Sequence, residues 1–138
     1  MTVNVDTHTN QRLIQDWAHF TSAHDVERLL ELFSLDVVYE DVTLGVINRG
    51  NDELRAFVDQ FFTRFPDIAM QLTSSFATPA YGGAEWVMRG TQADDPAPGL
   101  AAPRRFELRG ASIVEFAHGK IRRLADYWDR ASLLEQLG

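Results

Sequence analysis

The sequence predicts an α+β fold, with helices laid over one face of a curled, mostly antiparallel sheet. Two observations carry this reading. Up to Pro66, apolar residues recur mainly at helical spacing, interrupted by a single strand-like run; beyond it the pattern shifts to strand-like segments, with clean two-residue alternation over 105–109. Such an order of elements belongs to an α+β domain rather than to a βαβ repeat.

Each element has its own signal. Leu13, Ile14, Trp17, Ala18 and Phe20 form one stripe of a helix over 9–23, which Thr7 or Thr9 could cap. Residues 1–8 are set apart as a flexible terminus, leaving 9–138 as one domain. A second helix follows with Asp25 as its cap and Val26, Leu29, Leu30 and Phe33 as its apolar face, so the chain must turn sharply near His24. Val37–Asp41 reads as a strand ending in acids, and Gly45 and Gly50 bracket a turn-rich stretch. Asn51 or Asp52 opens a third helix, carrying Leu54, Phe57, Val58, Phe61 and Phe62, which Pro66 ends. Strands are expected over 68–78 and 84–91, flanking Tyr81-Gly82-Gly83. The proline-rich residues 93–103 make a loop. A long strand spans 104–116, with Phe106 and Leu108 opposite Arg105, Glu107 and Arg109; His118-Gly119 turns the chain, and the last strand runs 121–129. RASLLEQL closes as a helical turn. Three helices over one face force the sheet to curl, and a cone of this kind encloses a pocket open at one end.

Composition narrows the function. The 138 residues are 45% apolar and 24% charged, ordinary for a globular domain. A net charge of −7 opposes binding to nucleic acid or to anionic membrane. There is no cysteine, which removes disulfides, thiolate metal sites and cysteine nucleophiles. The opening residues lack the basic and apolar regions of a secretory signal, and no apolar run is long enough to span a membrane, so a cytoplasmic location is expected. The four histidines, His8, His19, His24 and His118, show no ligand spacing, and no metal site is expected. No phosphate loop, dinucleotide fingerprint or nucleophile elbow occurs, so no cofactor is expected either.

The candidate chemistry lies on the last strand. Alternation puts Arg122, Leu124, Asp126 and Trp128 on one face. If Leu124 and Trp128 line the pocket, Asp126 stands among apolar walls, loses hydration, and has its pKa raised toward the range useful to a general acid or base. The alternative is an aspartate locked to an arginine. Asp41, at the end of the first strand, is a possible second carboxylate, or else caps a turn. Arg89, if inward, could hold one carboxylate ionised or orient a substrate carbonyl; if outward it pairs with Glu85. Most aromatics are expected in the core, with Trp17 and Trp128 favoured as pocket liners; Tyr39 either hydrogen-bonds a ligand or packs with its hydroxyl in water.

Several stretches together resemble the SnoaL-like group of the NTF2-like superfamily: Trp17-x7-Asp25, LLELFSLDVVYED at 29–41, RG-x3-LRAF at 49–57, FTRFPD at 62–67, and HGKIRRLADYWDRASLLEQLG at 118–138. The resemblance covers 9–138 and implies an NTF2-like cone with three helices from the N-terminal half. It also implies a cofactor-free enzyme acting on a hydrophobic small molecule of polyketide, terpenoid or steroid type, by cyclisation, isomerisation or hydrolytic ring opening. In SnoaL-like cyclases the acid/base aspartate follows a G-K-I turn, which matches Asp126. Their histidine 14 residues earlier is replaced by Ser112. Epoxide-hydrolase-like members carry R-x-D where this chain has Arg89-Gly90-Thr91, so the second carboxylate is lost. Ketosteroid-isomerase-like members keep a base in E-D-P, which matches Glu40-Asp41-Val42; their oxyanion donors fall at Trp17 and Ser112, each able to give one proton. The resemblance further implies a homodimer formed through the broad sheet face. A binding module without chemistry is the competing reading, because this fold hosts both.

Overall fold

The computed structural model describes residues 5–92 and 104–138. The expected loop at 93–103 and the first four residues lie outside them. In order, the elements are α1 (Val5–Ala23), α2 (Val26–Glu31), β1 (Phe33–Asp41), β2 (Val46–Arg49), α3 (Gly50–Arg64), β3 (Ala69–Ala77), β4 (Tyr81–Thr91), β5 (Arg105–Ala117), β6 (Lys120–Trp128) and α4 (Arg130–Leu137). The six strands form one curved sheet in the order β2-β1-β6-β5-β4-β3. Every neighbouring pair is antiparallel except β1 and β6, which run parallel. The last strand thus enters the centre of the sheet.

The helices lie where their apolar stripes require. α1 buries Leu13, Ile14, Trp17 and Ala18, and polar side chains along it fix its position against β3 and the turn that follows. Asn10 Nδ2 donates to the carbonyls of Thr78 and Pro79 at 3.0 and 3.2 Å. Ser22 Oγ accepts from the Met70 amide at 2.8 Å and donates to the Met70 carbonyl at 3.1 Å. The sharp turn after α1 is made by His24 in the left-handed region, φ 55°, with its ring stacked on Phe62. Asp25 caps α2 by accepting from the Arg28 amide. α3 lies across β1 and buries Leu54 and Val58. His118 and Gly119, both at positive φ, make the two-residue turn between β5 and β6, the backbone that matches the twist of a hairpin.

Several expectations change. α1 begins at Val5, inside the stretch set apart as flexible. Phe33 opens β1 rather than closing α2. The stretch between Gly45 and Gly50 contains β2, a short edge strand set between two glycines at φ 70° and 82°. Tyr81-Gly82-Gly83 belongs to β4, and the turn before it is at Thr78-Pro79-Ala80, closed by a bond from the Thr78 amide to the Tyr81 carbonyl. Arg122 leaves the face expected for it. The β5–β6 register jumps from Phe116↔Ile121 to Glu115↔Arg123, a β-bulge that places Ile121 and Leu124 inside while Arg122 and Arg123 both reach Glu115.

Candidate active site

A cavity of about 640 Å³ lies between the concave face of the sheet and the helices. Its walls are apolar side chains from α1, α3, β1, β4 and β5, and α4 contributes Leu133, Leu134 and Leu137 to its rim. Three polar side chains meet on its sheet wall: Tyr39 and Asp41 from β1 and Asp126 from β6. The parallel ladder brings them together. Asp41 pairs with Asp126 and Tyr39 with Leu124, and side chains two apart on a strand share a face.

Asp126 is 9% exposed, and both of its oxygens accept hydroxyl protons. Ser112 Oγ donates to Oδ1 at 2.6 Å, and Tyr39 Oη donates to Oδ2 at 2.7 Å. Ser112, opposite Asp126 on β5 and 1% exposed, accepts from the Trp86 indole Nε1 at 2.9 Å. The Trp17 indole lies close enough to the Tyr39 hydroxyl to oppose part of the rise in its pKa. Loss of water around Asp126 raises its pKa from 3.8 to about 7, against the two hydroxyl donors, which lower it; the nearby charge of Asp41 adds to the rise. The Tyr39 hydroxyl is pushed well above its ordinary value, first by burial and then by the charge of Asp126.

Asp41, 6% exposed, is held differently. Its Oδ1 accepts from the Leu44 amide at 2.9 Å, and the Trp128 indole donates to both oxygens at 3.1 Å. Trp128 is itself fixed through its backbone, donating to Thr43 Oγ1 at 2.9 Å, while Thr43 returns a bond to the Trp128 carbonyl at 2.6 Å. Asp41 therefore both faces the cavity and caps the turn after β1.

Of the residues singled out in the sequence, Asp126, Asp41, Tyr39, Trp17 and Trp128 line the cavity. Ser112 stands behind Asp126 as its donor. Leu124 does not reach the cavity: it is 0% exposed within the solid core beneath, and the lining of β6 begins at Asp126. Arg89 is outside altogether. On β4 the inward positions are Ala84, Trp86, Met88 and Gly90, so Arg89 projects from the outer face, where it bonds Glu107 at 2.8 Å and Gln71 at 3.3 Å rather than Glu85. Glu85 instead accepts from Ser74. The alternation Ala84-Trp86-Met88 was the available signal. Two residues escaped sequence reasoning. Trp86 looks like an ordinary core aromatic, yet it is the donor to Ser112. Gly110 lies opposite Trp86, and a Cβ there would overlap the Trp86 ring, so only glycine lets the indole lie across β5. Among the described residues no group of side chains is arranged to hold a metal ion.

Comparisons with known proteins bear on the fold and the family. Cyclase aurE of Calcarisporium arbuscula is 26% identical over 125 residues, covering 90% of this chain and 89% of the relative. The crystal structure of a candidate polyketide cyclase from Xanthomonas campestris superposes with a TM-score of 0.82 at 19% identity, over 96% of this chain and 99% of its own. A protein of ketosteroid isomerase-like fold from Catenulispora acidiphila, crystallised with trimethylamine, gives a TM-score of 0.78 at 20% identity, over 91% and 92%. These structures share the fold. The sequence profile of the SnoaL-like domain matches residues 14–124, from α1 into β6; the chain belongs to the SnoaL-like family within the NTF2-like fold.

Proposed function

We propose that this protein is a cofactor-free acid/base enzyme that cyclises or isomerises a hydrophobic, carbonyl-bearing small molecule. The observation that carries the reading is Asp126, a carboxyl buried on the wall of an apolar cavity, with both oxygens hydrogen-bonded and a pKa of about 7. A group so poised gains and loses a proton near neutral pH with little driving force wasted in either direction. It would take a proton from carbon beside a carbonyl and return it elsewhere on the product. A cyclisation needs the same two transfers around carbon–carbon bond formation. Membership in the SnoaL-like family supports chemistry of the cyclase or isomerase type. Asp41 would be a second, fixed carboxylate facing the bound molecule, and Trp17, Tyr39 and Trp128 would contact it. Hydrolytic opening of an epoxide fits poorly, because Arg89 points away and Thr91 replaces the second carboxylate.

The experiment is hydrogen–deuterium exchange at carbon beside the carbonyl of hydrophobic ketones, with wild type and Asp126→Asn. A rate lowered by about 10²–10⁴-fold in the variant is expected. Equal rates in the two proteins would remove Asp126 from catalysis. A carboxyl titration by NMR that placed Asp126 at its ordinary value would favour a binding module instead. The apolar side chains exposed on the strands, Phe76, Tyr81, Ile113 and Tyr127 among them, support a homodimer, which gel filtration would test by elution at twice the monomer mass.

A further inference from the structure

The network around Asp126 has a direction. Trp86 donates to Ser112, Ser112 to Asp126 Oδ1, and Tyr39 to Asp126 Oδ2. Behind Ser112 stands an indole, which can only donate. Each hydroxyl has one proton, and that proton is committed to Asp126. The arrangement as built fits a carboxylate. A carboxylic acid at position 126 needs an acceptor for its own proton, and one hydroxyl must then give way.

The two hydroxyls differ in where a displaced proton can go. Ser112 is sealed behind the sheet wall at 1% exposure, whereas Tyr39 borders the cavity. We propose that Tyr39 is a two-position donor: it points at Asp126 while that residue is ionised, and re-aims its hydroxyl at the oxygen of the bound molecule when Asp126 takes up a proton. This deepens the acid/base reading and rests on it. In that reaction the C–H bond beside the carbonyl breaks, its proton goes to Asp126 Oδ2, and its electron pair moves to the carbonyl oxygen as an enolate. Oδ2–H now donates to Tyr39 Oη, and the Tyr39 proton, never leaving its oxygen, turns to the enolate. Return of the proton from Asp126 to carbon reverses the turn. Base and oxyanion donor are thereby one device, and the donor arrives only as the negative charge does, when it stabilises the transition state rather than the ground state. The titratable groups facing Asp126 are Asp41 and Tyr39, both from β1; β5 and α1 present Ser112 and Trp17, which do not titrate.

The test uses 4-nitrophenolate as a stand-in for the enolate, followed by absorbance and by calorimetry in buffers of different ionisation enthalpy. At a pH above the titration of Asp126, wild type is expected to take up one proton for each phenolate bound. Asp126→Asn is neutral already and can donate to Tyr39, so it is expected to bind tighter, with no proton uptake. Adding Tyr39→Phe to that variant is expected to weaken binding about tenfold or more, the cost of losing a hydrogen bond to a charged oxygen. Adding Ser112→Ala to Asp126→Asn instead, where no carboxyl is left to titrate, removes the other hydroxyl and is expected to change affinity by less than about threefold, because Ser112 is sealed from the cavity. Tyr39→Phe keeps the ring contacts with Phe33 and Phe57. Equal binding by Asp126→Asn with and without Tyr39→Phe, equal losses on removing either hydroxyl, or no phenolate binding by Asp126→Asn would each overturn the proposal. An Asp126→Asn protein that still exchanged carbon-bound hydrogen would sink the acid/base reading alone, and leave the phenolate result to stand or fall by itself.

Discussion

Replacing Asp126 with asparagine should change how stability depends on pH, by an amount set by the burial of that carboxyl. Its pKa rises from 3.8 in the unfolded chain to about 7 in the fold. Between those values the native state holds a proton that the unfolded state has lost, so stability falls as pH rises. The contribution is fully present below the lower value and is gone above the upper one. A difference of about 3 units at 1.36 kcal/mol each amounts to about 4 kcal/mol. Asparagine has nearly the same shape and does not titrate. The stability difference between variant and wild type should therefore move in favour of the variant by about 4 kcal/mol from about pH 4 to about pH 8. Any constant offset, such as the hydroxyl donor that the asparagine amide cannot accept, drops out of this comparison. The other carboxylates titrate in both proteins, so they cancel apart from the coupling of Asp41 to Asp126. Urea denaturation of the two proteins across that range gives the curve. Two stability profiles that ran parallel would refute the reasoning, because they would mean that the carboxyl at 126 is no harder to ionise in the fold than outside it.

Two further substitutions test neighbouring parts of the structure. Gly110→Ala should lower stability by about 1–3 kcal/mol by forcing the Trp86 ring off β5, and should shift tryptophan emission as the indole leaves Ser112; an unchanged urea midpoint would mean that the close approach relaxes freely. Arg89→Gln removes an exposed ion pair with Glu107 and an exposed bond to Gln71, so stability should change by less than about 1 kcal/mol and carbon-exchange activity should not change; a large loss of activity would return Arg89 to the site.

Much of this arrangement was legible in the sequence, and the exceptions have physical causes. The helical stripes, the Asp25 cap, the His118-Gly119 turn and the alternation over Arg105–Arg109 are local, and local chemistry places them correctly. Asp126 was legible because its apolar neighbours two residues away define the face it shares. What was not legible depends on pairings between distant segments. The contact from Tyr39 to Asp126 joins residues 87 apart through a parallel ladder that no turn residue announces. Arg122 was assigned to the wrong face because the bulge in β6 shifts the alternation by one residue. β2 has only four residues, too few for alternation to stand out between two turn glycines. Arg89 is a different case, because the alternation that turns it outward is local and readable in the sequence.

The parallel contact of β1 with β6 also governs the order in which the sheet can be completed. During synthesis β6 is the last strand to emerge, yet it fills the gap between β1-β2 on one side and β5-β4-β3 on the other. Until it arrives, β1 and β5 each present an unpaired edge, the kind of surface on which chains stick to one another. The same late segment carries the aspartate. A ribosome-bound fragment lacking it would hold two half-sheets and no Asp126, so one strand completes both the sheet and the polar wall of the cavity.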